Sequence, residues 1–134
     1  MDFTILDAGF SNLNSNSPSL GLLLLLFLGI IMGEAGIMYW FKLSPSYGKC
    51  LLYSFVVNIA SYAAGALLDT LNVNVSFENG NIKGTIIAFL VSILVEGGLL
   101  LLLARKKSAK KIFLASLVMN SASYVAALIV YNVI

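Results

Sequence analysis

Four apolar runs, each long enough to cross a bilayer, constrain this chain more than any other feature in it. Spanning the hydrocarbon core takes about 20 mainly apolar residues at about 1.5 Å of rise each. The runs extend from Leu20 to Phe41, Cys50 to Leu68, Thr85 to Ala104 and Ile112 to Tyr131. Inside lipid only helices and closed barrels satisfy the backbone, and these runs lack the strict alternation of a barrel strand. The expected fold is all-α: a polytopic membrane protein with four transmembrane helices. Composition agrees. Of 134 residues 60% are hydrophobic and only 10% charged, with a mean hydropathy of +0.97, whereas a soluble domain carries about a quarter charged residues.

Orientation is read from Lys and Arg. Lys42 and Lys49 flank the first short loop, and Arg105, Lys106, Lys107, Lys110 and Lys111 fill the connection between the third and fourth spans. Only Lys83 lies on the other side. The excess of basic residues on cytoplasmic loops places both short loops in the cytoplasm and both termini outside, in a plasma or inner membrane. The same basic loop suits anionic lipid headgroups. Residues 1–19 form a polar outward segment that contains Asp2 and Asp7 but no basic stretch, so it does not read as a secretory signal. The outer loop, 69–84, reads as a small hairpin turning at Asn79-Gly80. Asn74-Val75-Ser76 within it matches a glycosylation acceptor.

An offset of 62 residues aligns the chain with itself without a gap. Glu34 falls on Glu96, Asn58 on Asn120, Ser54 on Ser116, Ser61 on Ser123, Tyr62 on Tyr124, Gly36 on Gly98 and Lys49 on Lys111. Matches of Leu are cheap in such a chain, but only three Glu exist and two of them pair. The chain therefore reads as two tandem helical hairpins, 20–68 and 85–134. A two-span unit returns to its starting side, so the copies share one orientation about an axis along the membrane normal.

Ionisable residues within spans are costly and are the first candidates for function. Counted from the nearest basic residue, Glu34, Glu96, Asn58 and Asn120 all lie roughly 12–14 Å from the cytoplasmic ends of their helices. Ser54, Asn58, Ser61 and Gly65 recur at spacings that keep one helix face, and Ser116, Asn120, Ser123 and Ala127 repeat the pattern. Gly29 and Gly33 make a G-x-x-x-G pair with Gly36 beyond, and together with Gly65 and Gly98 they are expected at helix–helix contacts. An isolated ionised carboxylate in hydrocarbon costs on the order of 20 kcal/mol by the idealised Born estimate. No basic residue shares that depth, so both Glu are expected protonated at neutral pH unless water or a cation reaches them.

Two readings of this set stay open. In one, the Glu, Asn and Ser side chains are polar glue that fixes helix packing. In the other, they line a path for protons, cations or a small polar solute. Enzyme chemistry is not expected, because no His, Gly-rich phosphate loop, Asp pair or nucleophile–base set is present. Cys50 is the only Cys, which rules out an intrachain disulfide and, with no His, a Cys/His metal cage. No cofactor, metal or nucleic-acid partner is expected.

Glu34-Ala35-Gly36, a short basic loop and then Asn58-x-x-Ser61 resemble part of the cyanobacterial filament-integrity (FraC-like) membrane proteins. The resemblance covers about thirty residues, and the short length and second copy of this chain depart from that family. It implies a structural, non-enzymatic role at cell–cell junctions. The expectation drawn from the whole sequence is a non-enzymatic subunit of a homo- or hetero-oligomeric membrane assembly. A small transporter or channel is the alternative.

Overall fold

The structure is a computed structural model that describes residues 19–73 and 82–133, with side chains through residue 130. The opening segment up to residue 18, the hairpin expected at Asn79-Gly80 and the Asn74-Val75-Ser76 acceptor lie outside the described residues. Four helices follow one another: α1 (Leu20–Trp40), α2 (Tyr47–Thr70), α3 (Ile82–Leu103) and α4 (Ala109–Val133). Each is long and apolar enough to cross a membrane, and the described residues contain no strand. The chain is an integral membrane protein.

The helices outrun three of the four apolar stretches, because a span may begin in headgroups where charged residues are wet. Lys49 therefore sits in the first turn of α2, Lys83 in that of α3, and Lys110 and Lys111 in that of α4. Only Arg105, Lys106 and Lys107 occupy the five-residue connection from Ala104 to Ser108.

Local sequence explains where each helix stops. Ser19 caps α1, its hydroxyl accepting from Leu22 N–H at 3.3 Å. After Trp40 the backbone turns left-handed at Lys42 (φ 53°), and Leu43 N–H reaches back to Met38 C=O at 3.0 Å. That six-to-one bond is a Schellman closure, and Leu43, the residue that makes it, is buried. Pro45 then prevents α1 and α2 from fusing. The end of α2 repeats the device, with Asn72 at φ 59° and Val73 N–H on Leu68 C=O at 3.0 Å. Asn tolerates that conformation better than Lys does.

Packing closes the helices into a ring in which α1 touches α2 and α4, and α3 touches α2 and α4. Tyr47 Oη donates to Met32 C=O at 3.1 Å and Tyr53 Oη to Leu103 C=O at 3.2 Å, tying the first two turns of α2 to α1 and to the end of α3. Both short connections therefore share one end of the bundle, and Lys42, Lys49 and Arg105–Lys107 lie there together. Exposed Trp40, with Tyr39 edge-on to Tyr47 at 6.1 Å, marks the same end as a membrane–water interface. The buried core is narrow: Met38, Cys50, Val57, Leu100, Ile112 and Met119 fill it. Most other large apolar side chains point outward, as lipid-facing positions do.

Candidate functional site

Among the described residues seven polar ones are buried, and six of them are the expected positions Glu34, Ser54, Asn58, Glu96, Ser116 and Asn120; the seventh is the loop residue Ser44. Glu34 projects from α1 toward α2 because it follows Ile31 and precedes Met38 on the inward stripe. Its Oε2 accepts from Ser54 Oγ at 2.9 Å and from Asn58 Nδ2. The same Asn58 amide also donates to Ser54 C=O at 2.9 Å, one turn back. That second bond fixes the amide so that its remaining N–H aims at the carboxyl.

The second hairpin builds the same unit. Asn120 Nδ2 donates to Glu96 Oε2 at 2.7 Å and to Ser116 C=O at 3.0 Å. In both units the Asn stands 24 residues after its Glu. The two differ at the first Ser: Ser54 Oγ serves Glu34, whereas Ser116 Oγ donates to Ile93 C=O at 3.2 Å.

The serine stripes divide between two neighbours. Ser123, on α4, reaches across to the first hairpin and donates to Glu34 Oε1 at 2.5 Å. Its counterpart Ser61, on α2, lies beside Glu96 on the second hairpin, with its hydroxyl buried but outside regular hydrogen-bond geometry. Glu34 and Glu96 are themselves within electrostatic reach of one another. Seven of the eight expected polar residues thus fall into two hydrogen-bonded sets, Glu34 with Ser54, Asn58 and Ser123, and Glu96 with Ser116 and Asn120, and Ser61 adjoins the second. Tyr124 adds a side bond with Ser92 (3.4 Å) and an edge-on contact with Phe89 at 5.1 Å. Phe27 meets Tyr62 at 5.8 Å at the corresponding place in the first hairpin. Neither Phe nor Ser92 stood out in the sequence, because aromatic and Ser residues in spans carry no signal without a partner.

No family model matches this chain, and neither does any curated protein or solved structure.

The glycines need a correction. A methyl added at Gly29, Gly33, Gly36 or Gly98 would meet no atom within 4 Å, so these positions make no close helix contact within the chain. Gly65 is half-buried on α2. Gly97 packs closely: a Cβ there would stand 2.6 Å from the ring of Phe113 on α4. Spacing counts alone assign a face only to within one residue, and the single step from 98 to 97 turns the position about 100° around the helix axis. Ala35, at the matching position of α1, is fully buried too. Small residues at both 35 and 97 were the available signal.

The basic residues other than Lys83 stand apart from this network, at one end of the bundle. Lys42, Lys49, Arg105, Lys106 and Lys110 are exposed, and Lys107 and Lys111 partly so. Chemically, the network holds two carboxyls against amide and hydroxyl donors. Among the described residues no three metal-ligating side chains come together.

Proposed function

We propose that this protein is a non-enzymatic, multi-pass subunit of a membrane assembly, formed with copies of itself or with other membrane proteins. The Glu–Asn–Ser network would hold its two hairpins in register. The observation that carries this reading is the closure of the network on itself: every donor that meets Glu34 comes from another part of the bundle, and Ser123 ties the hairpins together. Hydrogen bonds of this kind are the usual glue between helices where lipid offers no hydrophobic drive.

We read the two hairpins as copies of one ancestral unit. The buried set supports this, since Glu34, Met38, Cys50, Ser54, Val57 and Asn58 recur 62 residues later as Glu96, Leu100, Ile112, Ser116, Met119 and Asn120, all buried. We place the basic end in the cytoplasm and both termini outside. A structural role also agrees with the filament-integrity proteins that the Glu-Ala-Gly and Asn-x-x-Ser segments resemble.

A second reading, conduction of protons, cations or a small polar solute past Glu34, Glu96, Asn58 and Asn120, is favoured by one observation. The Glu34–Asn58 pair between α1 and α2 and the Glu96–Asn120 pair between α3 and α4 belong to one bundle, and their carboxyls lie near enough to interact electrostatically. Gentle detergent extraction through a handle on the C-terminus, followed by mass spectrometry, separates the readings. Stoichiometric companions or a defined homo-oligomer that Glu34→Gln with Glu96→Gln loosens support the subunit role. Liposome flux lost in the same double variant, with the assembly intact, would replace it with the transport role.

A further inference from the structure

Two cations meet where α2 and α3 join at the basic end of the bundle. Tyr53 on α2 donates to Leu103 C=O, and Arg105 Nε folds back to donate to the neighbouring Leu102 C=O at 3.0 Å. That bond holds the guanidinium over the end of α3 and uses Nε, which leaves its planar pair of Nη donors for another acceptor. Lys49 stands one turn before Tyr53 on the side of α2 that faces α3. Both Lys49 and Arg105 are exposed, so they flank the top of one seam.

No described acidic residue neutralises them. Glu34 and Glu96 lie at mid-bundle, and Asp69 is in the last turn of α2, at the far end. Lys49 also occupies the first turn of α2, where the helix dipole opposes a cation, and that turn holds no acidic residue. The pair lacks an anion. Depth decides which kind: exposed Trp40 and Tyr39 mark this end as headgroup level. Below Lys49 runs an apolar stripe of Leu52, Val56 and Ile59, on one helix face and all exposed. A free phosphate would use the cations alone, whereas a phospholipid uses the cations and the stripe together. Basic residues at the cytoplasmic ends of spans attract anionic headgroups in this way.

The second hairpin does not repeat the arrangement. At an offset of 62 residues Lys49 is matched by Lys111, but Tyr53 is matched by Ala115, and the place of Arg105 is taken by the buried Leu43. We propose that the α2–α3 seam binds one anionic phospholipid, with its phosphate on Lys49 and Arg105 and an acyl chain along Leu52, Val56 and Ile59. The site is separate from the Glu–Asn–Ser sets and goes beyond both readings of them.

The test purifies the full chain in a neutral detergent, adds phosphatidylglycerol or phosphatidylcholine, and weighs the intact complex by native mass spectrometry. One phosphatidylglycerol and no phosphatidylcholine should stay bound, and excess inorganic phosphate should not displace it. Lys49→Gln with Arg105→Gln should weaken retention about tenfold or more, as the loss of charge-assisted hydrogen bonds does. Lys106→Gln with Lys110→Gln removes the same charge from exposed positions and should keep most of the binding. A phosphatidylglycerol carrying a diazirine in its acyl chain tests the seam without any substitution: adducts are expected on peptides of α2 and α3. Equal losses in the two double variants would overturn the proposal, because only net charge would then be read. So would displacement by inorganic phosphate, equal retention of phosphatidylcholine, no retained lipid, or adducts spread over all four helices.

Discussion

Ser123 on α4 donates to Glu34 Oε1 on α1 at 2.5 Å, across 89 residues of sequence, while Ser61, its counterpart on α2, makes no regular bond to Glu96. Removing the two hydroxyls should therefore have unequal effects. Ser123→Ala takes a formed interhelical bond from a buried carboxyl and is expected to cost about 1–2 kcal/mol. Ser61→Ala removes a hydroxyl that lies beside Glu96 outside regular hydrogen-bond geometry and should cost less than Ser123→Ala. Unfolding in mixed micelles, followed by the fluorescence of the single Trp40 or by helical circular dichroism, measures both.

Glu34 should matter more to stability than Glu96. Three side chains, Ser54, Asn58 and Ser123, donate to Glu34, whereas Asn120 alone makes a regular bond to Glu96. Truncation to Ala leaves those donors buried without an acceptor, although Asn58 and Asn120 keep their bonds to the carbonyls of Ser54 and Ser116. Glu34→Ala is expected to cost about 2–4 kcal/mol and Glu96→Ala about 1–2 kcal/mol, scaling with the number of bonds lost. Equal losses in the same unfolding assay would show that the unequal partner sets carry no energetic weight.

Which of these relationships was legible beforehand follows from what each depends on. Span number depends on length and hydropathy, both properties of the sequence. The pairing of Glu34 with Asn58 and Glu96 with Asn120 follows from depth, because residues equally far from the basic end of adjacent antiparallel helices must meet at one level. Helix rotation is different. It is set by how four surfaces mesh, and nothing in the spacing of Ser54, Asn58 and Ser61 says that the first two turn to α1 while the third turns to α3. The same blindness chose Gly98 over Gly97. It also assigned Gly29 and Gly33 to a contact within the chain, when the ring closes elsewhere and leaves them open.

Gly97 offers a sharp test of the α3–α4 contact. A methyl at this position would stand 2.6 Å and 2.7 Å from two ring atoms of Phe113, well inside van der Waals contact. Overpacking of this kind costs about 1–3 kcal/mol, offset in part by the better helix propensity of Ala. Gly97→Ala is expected to lower the unfolding midpoint, and Phe113→Leu in the same chain should restore much of it. Gly98→Ala, one residue on, meets open space and should hold or raise the midpoint.

The orientation of the bundle can be read with the native thiol left in place. Cys50 is fully buried in the core, with Leu43 and Ile112 in the same cluster. A membrane-impermeant maleimide should therefore leave it unmodified in the folded protein and label it only after unfolding in dodecyl sulfate. Ser108 is exposed and ends the connection that carries Arg105, Lys106 and Lys107. Ser108→Cys places a reactive thiol among cations that favour the thiolate, which quickens the reaction. In sealed cells this thiol should stay unlabelled, and it should react in inverted vesicles or after permeabilisation. Labelling of intact cells would reverse the assigned orientation, since Ser108 and Lys42 share one end of the bundle and must face the same side. Neutralising Arg105, Lys106 and Lys107 together should then yield a mixed population labelled from both sides, because five of the seven basic residues at that end lie between Arg105 and Lys111 and carry most of the bias that fixes topology.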